Sequence, residues 1–140
     1  MKDINILLIE DNEGDILLTV EAFEECRLVN RINTIKDGKL AIRYFESLGE
    51  RDDTPHLVLL DINLPRANGH EVLNYIKSHE KYRTIPVIML TTSSAQSDIL
   101  KSYNNHVNCY ITKPIDLEDF MIVISKIESF WTSTVSLPSQ

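Results

Sequence analysis

The residues that could do chemistry in this chain all close apolar runs. Glu10 and Asp11 follow I-N-I-L-L-I, Asp61 follows Leu57-Val58-Leu59-Leu60, Thr91 follows I-P-V-I-M-L, and Lys113 follows V-N-C-Y-I-T. Three carboxylates brought within a few ångströms of one another in a partly desolvated cleft repel by several kcal/mol, so such a group wants a cation. Mg²⁺ suits it best: a hard ion that takes one or two carboxylates, keeps several waters and accepts a phosphate oxygen. The backbone carbonyl of Asn63, two residues past Asp61, can complete the shell, and no His or Cys is placed to favour zinc. With the Thr91 hydroxyl and the Lys113 ammonium directed at the same space, the set has the parts for phosphoryl transfer onto Asp61 itself. Cation and lysine would neutralise the phosphoryl oxygens while the carboxylate attacks in line.

That convergence needs a fold that brings four strand ends together. Ile4 to Ile9 reads as a first buried strand, and Glu13 to Arg27 carries apolar residues at helical spacing (Ile16, Leu17, Val20, Phe23), with Asp11 or Asn12 as cap. Arg31 to Lys36 alternates as a half-exposed strand, and Asp37-Gly38 turns into the amphipathic helix L-A-I-R-Y-F-E-S-L. Gly49 to Pro55 is a polar loop. Leu57 to Leu60 is apolar without alternation, the pattern of a strand buried on both faces of a parallel sheet. Asn68 caps the helix that follows, to about Glu80. Ile85 to Leu90, a helix around Gln96 to Tyr103, a strand over Val107 to Thr112 and a last helix from Leu117 to Trp131 complete the chain. Five strands alternating with five helices predict a (βα)5 doubly wound parallel sheet, flavodoxin-like, in the order 2-1-3-4-5. Strands 1 and 3 then lie side by side where the winding reverses, and ligands bind at the carboxyl edge there.

Composition narrows the function classes. At 140 residues the chain is one domain, read as residues 1–131 with a short tail, 132–140, and no output domain. A formal charge of −7, from 21 acidic against 14 basic residues and without a basic stripe, argues against a nucleic-acid surface. Apolar runs of strand length give neither a membrane span nor a signal peptide, which predicts a cytoplasmic protein. Cys26 and Cys109 lack metal-type spacing and read as buried free thiols.

Taken together, the Glu10-Asp11 pair, D-I-N-L-P-R-A-N-G from Asp61 to Gly69, Thr91 after V-I-M-L, and Lys113-Pro114 resemble the receiver domains of two-component response regulators, over nearly the whole chain. The resemblance implies that Asp61 accepts a phosphoryl group from the phosphohistidine of a sensor histidine kinase. It implies Mg²⁺ held by Glu10, Asp11, Asp61 and the Asn63 carbonyl, and Lys113 and Thr91 on the phosphoryl group. It further implies a cis Lys113-Pro114 peptide, Tyr110 and Thr91 as switch residues, and Asn63 and Ser93 as residues that tune the lifetime of the aspartyl phosphate. Such a protein is no enzyme in the ordinary sense; slow self-hydrolysis and self-phosphorylation from small donors are its expected reactions. V-N-C-Y-I-T-K-P before an apolar helix ending in F-W is similar to the single-domain regulators that serve phytochrome kinases.

A phosphoryl group adds about −1.5 to −2 charges and three acceptor oxygens. Thr91 should be drawn toward it, with Tyr110 turning inward and the surface of helix 4, strand 5 and helix 5 shifting between two states. In the last helix Leu117, Phe120, Ile124, Ile127 and Trp131 can face the sheet, which leaves Met121, Ile122, Val123 and Phe130 for a homodimer through that surface. The rival arrangement has Val135 and Leu137 folding back over it.

Each residue also has a plainer explanation. Glu10-Asp11 could be helix-capping acids, Thr91 the cap of helix 4, Lys113 a solvated strand end, Pro114 the start of a helix and Tyr110 ordinary packing. Three other functions compete. A Mg²⁺-dependent aspartyl phosphatase of the haloacid dehalogenase type carries its nucleophile after strand 1 in a DxD pattern, whereas Asp61-Ile62-Asn63 follows strand 3. An FMN module would meet four residues, Glu10-Asp11-Asn12-Glu13, whose acids repel its phosphate. A phosphorylation-independent interaction scaffold could dispense with parts of the set, and none is missing.

Overall fold

Short apolar runs separated by segments of helical period produce the alternation of strands and helices seen in the computed structural model, which describes residues 4–25, 29–49 and 54–138. Its elements are β1 (Ile4–Ile9), α1 (Glu13–Glu24), β2 (Val29–Ile35), α2 (Gly38–Ser47), β3 (Leu57–Leu60), α3 (Gly69–Ser78), β4 (Val87–Thr91), α4 (Gln96–Asn104), β5 (Cys109–Thr112) and α5 (Leu117–Ser129). A π-helical turn, Phe130–Thr134, continues α5. The strands form one parallel sheet in the order β2-β1-β3-β4-β5, as the sequence predicts.

Successive residues of each strand face opposite sides. Leu7, Ile9, Val58, Leu60, Val87 and Met89 meet α2 and α3 through Phe45, Val72, Leu73 and Ile76. Ile6, Leu8, Leu57, Leu59, Ile88 and Leu90 meet α1 and α5 through Phe23, Phe120, Ile124 and Ile127. Because both faces are covered, β3 is buried at all four positions and shows no alternation.

Local chemistry sets the boundaries. Asn12, not Asp11, caps α1, its side chain accepting from the Asp15 amide at 2.9 Å. Asn68 caps α3 as expected, accepting from the Glu71 amide at 3.0 Å, whereas Ala95 offers α4 no side-chain cap. β4 starts at Val87 rather than Ile85 because Pro86 has no N–H to give the ladder; its carbonyl accepts from Val58 instead. α1 closes at Glu24, and Cys26 and Arg27 lie outside the described residues, as does part of the polar loop before Thr54. Cys109 is a half-buried free thiol.

The C-terminal segment departs from expectation in a specific way. Leu117, expected to face the sheet, is 57 % exposed, because the buried face of α5 begins only at Phe120. Val123, expected to be left over, packs against the core. Val135 packs there too and Leu137 is buried in it, so the tail does fold back, yet Met121, Ile122 and Phe130 stay about half exposed. Among the described residues no helix is long and apolar enough to cross a membrane.

Candidate functional site

Strand register builds the site. Ile9 pairs with Leu60, and the Asp61 amide donates to the Ile9 carbonyl at 3.0 Å, so the next residues of the two strands, Glu10 and Asp61, emerge side by side. By the period of 2, Glu10 and Asp61 both continue the α1/α5 face of the sheet. Lys113 does the same from β5, following Cys109 and Ile111, which pack on that face. Its amide donates to the Thr91 carbonyl at 2.6 Å, which anchors the end of β5 to the end of β4. Thr91 has the opposite parity, with Val87 and Met89, and enters from the other side, fully buried.

One oxygen from each of Glu10, Asp11 and Asp61 lies within 4.8 Å of the others. Glu10 and Asp61 are buried and Asp11 is open to solvent, so the group is a pocket with one wet side. Asp61 is oriented by its own loop: Oδ1 accepts from the amides of Ile62 at 2.7 Å and Asn63 at 3.4 Å. Lys113 Nζ reaches Glu10 Oε1 at 2.5 Å, Asp15 Oδ2 at 3.0 Å and Asp61 Oδ2 at 3.5 Å. Burial pushes the Glu10 carboxyl up to about 7 against the pull of Lys113, and the charge of Asp61 adds to the rise. The three carboxylates around Lys113 hold its ammonium protonated beyond the usual lysine range despite burial. One ammonium facing that many acids leaves an excess of hard oxygen donors with no imidazole or thiolate among them, a set that fits a divalent cation of the Mg²⁺ or Mn²⁺ kind.

The plainer readings of three residues therefore fail. Glu10 does accept from the Asn12 amide through Oε2 at 3.1 Å, but its other oxygen is committed to Lys113. Lys113 is buried rather than solvated, and Thr91 caps no helix. Tyr110 is half-buried with its hydroxyl donating to the Ser93 carbonyl at 2.8 Å, so it is already tied to the β4–α4 loop. The Lys113-Pro114 peptide, expected to be cis, is trans, as no described peptide bond is cis. The isomers of an X–Pro bond differ by only about 0.5–1 kcal/mol, so local packing decides and the sequence pattern does not.

Three residues were not singled out from the sequence. Asp15 lies one helical turn after Asp11 in D-N-E-G-D, a spacing that could have signalled it. His70 and Asp98 meet at 2.9 Å across α3 and α4 with no sequence pattern to join them.

The response regulator receiver domain family matches residues 6–125. The chain is 40 % identical over 136 residues to the response regulator Rcp1 of Synechocystis sp., covering 96 % of this chain and 92 % of that protein. It is 42 % identical over 127 residues to a probable methanogenesis regulatory protein, FilR2, of Methanothrix harundinacea, covering 90 % of this chain and 82 % of that one. Among solved structures, the Mn²⁺-bound form of Rcp1 superposes with a TM-score of 0.93 at 40 % identity, over 97 % of this chain and 99 % of that one. The phosphorylated cyanobacterial phytochrome response regulator RcpA superposes with a TM-score of 0.92 at 43 % identity, over 98 % and 99 %. With the strand order, the acidic pocket and these matches in agreement, the chain belongs to the response regulator receiver domain family of two-component signalling.

Proposed function

We propose that Asp61 of this chain takes a phosphoryl group from the phosphohistidine of a sensor kinase, and that the resulting charge biases the α4–β5–α5 face toward a partner. The observation that carries this reading is the meeting of Glu10, Asp11 and Asp61 within 4.8 Å, with Lys113 on the same pocket. Glu10, Asp11, Asp61 and the Asn63 carbonyl would hold Mg²⁺, which when bound neutralises phosphoryl oxygens. Asp61 forms the new P–O bond as the P–N bond to histidine breaks, and the imidazole leaves with the electron pair. Lys113, held by Glu10 and Asp15, supplies a fixed positive charge to the transferring group. Thr91 Oγ accepts from the Ser93 amide at 3.4 Å, which leaves its O–H free to donate to a phosphoryl oxygen. Asn63 and Ser93 flank the position of the phosphate and tune its slow hydrolysis.

The kinase is of the phytochrome type in this reading, supported by the likeness to a cyanobacterial phytochrome response regulator over nearly the full chain. A cytoplasmic location goes with it, since phosphohistidine is made where ATP is. The α4–β5–α5 face supports a homodimer: Leu100, Tyr103, Met121, Ile122 and Phe130 are each at least half exposed after the tail has folded back. β5 is an open sheet edge, bordered by a groove of about 430 Å³ that Cys109, Ile111, Val123 and Trp131 help to line.

Intact-mass analysis after incubation with acetyl phosphate and Mg²⁺ tests the acceptor: one phosphoryl group on the wild type and none on Asp61→Asn. Wild-type protein unmodified by any donor would remove the reading. Sedimentation with and without beryllofluoride tests the dimer, which a monomer in both conditions excludes.

A further inference from the structure

His70, at the start of α3, is only 5 % exposed, and the chemistry above gives it no part. Its Nε2 lies 2.9 Å from Asp98 Oδ1 on α4. An ionised carboxylate only accepts, so Nε2 carries the proton and donates. Nδ1 is buried without a hydrogen-bond partner. An apolar side chain would fill this place without stranding a lone pair, so whatever His70 contributes comes from Nε2.

Asp98 passes the constraint on. Its second oxygen accepts from the Ser93 hydroxyl at 2.6 Å, while the Ala95 amide donates to that same hydroxyl oxygen at 3.3 Å. The bonds from Ser93 and then His70 hold the Asp98 carboxyl below its usual range, which keeps it an acceptor for both. Tyr110 fixes the Ser93 carbonyl, and the Ser93 amide donates to Thr91 Oγ. The residue two past Thr91 is thus pinned at its side chain, its carbonyl and its amide.

We propose that His70 is a positioning residue for the phosphoryl chemistry: through Asp98 it fixes the Ser93 hydroxyl and thereby lengthens the life of the phosphate on Asp61. The inference builds on the acceptor role of Asp61 proposed above. In hydrolysis, a water oxygen bonds to phosphorus as the P–O bond to Asp61 breaks, the carboxylate is recovered, and the proton shed by the water passes to solvent or to the departing phosphate. With its O–H committed to Asp98, Ser93 cannot donate to that water or reorient toward it. Without His70, Asp98 turns to solvent and the hydroxyl is released to assist the attack.

The test phosphorylates the full chain with acetyl phosphate and Mg²⁺, removes the donor and follows the decay by intact mass. His70→Leu should shorten the lifetime about threefold to tenfold, the range expected for the net contribution of one hydrogen bond. His70→Gln, whose amide can donate from the place of Nε2, should recover most of it. Combined with Ser93→Ala, which removes the hydroxyl being positioned, His70→Leu should have no further effect. Should His70→Leu fail to fold, Asp98→Ala, on a partly exposed side chain, must give the same shortening. Equal decay of wild type and His70→Leu, or an undiminished effect in the Ser93→Ala background, overturns the proposal. A wild type that never accepts the phosphoryl group instead overturns the acceptor role beneath it.

Discussion

Lys113 and Glu10 stand 103 positions apart yet meet at 2.5 Å between Nζ and Oε1, each side chain only 4 % exposed. That bond closes the pocket and counters the repulsion of the acids when no divalent ion does so. Lys113→Ala should cost about 3 kcal/mol of stability, because removing one member of a buried pair strands the other charge. Mn²⁺ should recover part of the loss by taking over the role of the ammonium. The same variant should accept a phosphoryl group on the order of 10²-fold more slowly, the usual loss for one electrostatic contact to a transferring group. Urea unfolding with and without Mn²⁺, beside a phosphorylation time course, measures both; unfolding that is unchanged without metal would mean Lys113 is not the counter-ion.

Glu10 makes metal binding depend on pH. Its carboxyl is raised by burial from 4.5 to about 7, so between those values the folded protein holds a proton that the unfolded chain has released. Its contribution to stability is therefore fully present below 4.5 and lost as pH rises through 7. A divalent ion competes with that proton, so Mn²⁺ affinity should climb up to about tenfold per pH unit below 7 and level off above it. Glu10→Gln should flatten the slope. Calorimetric titration across the range measures it, and a flat wild-type profile would exclude Glu10 as the titrating group.

Gly69 lets α3 start directly on the loop that carries Asp61. A Cβ there would sit 2.2 Å from the Asp61 carbonyl oxygen and 2.7 Å from the Ile62 Cα, both backbone atoms that no rotamer change can clear. Gly69→Ala should cost about 2 kcal/mol or more and slow phosphorylation by displacing the carboxylate. Gly14→Ala is the control: its Cβ meets only the Asn12 side chain at 3.4 Å, so a small gain from helix propensity is expected. Equal denaturation midpoints for the two variants would refute the close approach.

The sheet was legible because β1, β3 and β4 are mostly or wholly apolar runs; Glu10, Asp61 and Thr91 were legible because each directly follows or closes such a run, and Lys113 because it follows the strand-like segment of β5. Contacts that depend on how helices pack were not. His70 and Asp98 are 28 positions apart on different helices and meet only because α3 and α4 are neighbours. Asp15 gains its role from Lys113, 98 positions away. The apolar count of α5 likewise could not assign Leu117 to solvent or Val123 to the core, because that depends on where along the helix its contact with the core begins. The isomer of Lys113-Pro114 turns on an energy difference too small for a motif to fix.

Tyr110 offers a check on the β4–α4 loop independent of any phosphoryl chemistry. Its ring packs against the α2–α3 side of the core while its hydroxyl holds the Ser93 carbonyl at 2.8 Å, so it braces the β4–α4 loop from β5. Tyr110→Phe keeps the ring and deletes the brace. The expected cost is about 1 kcal/mol, with faster hydrogen exchange confined to the amides of Ser93 to Asp98 and the sheet amides unaffected. Burial also raises the Tyr110 phenol above its usual range, so in the wild type the brace should persist to a higher pH than an ordinary tyrosine would allow. Uniformly faster exchange across β4 and β5 in the variant would show Tyr110 to be general packing, whereas a change limited to that loop fixes it as the brace.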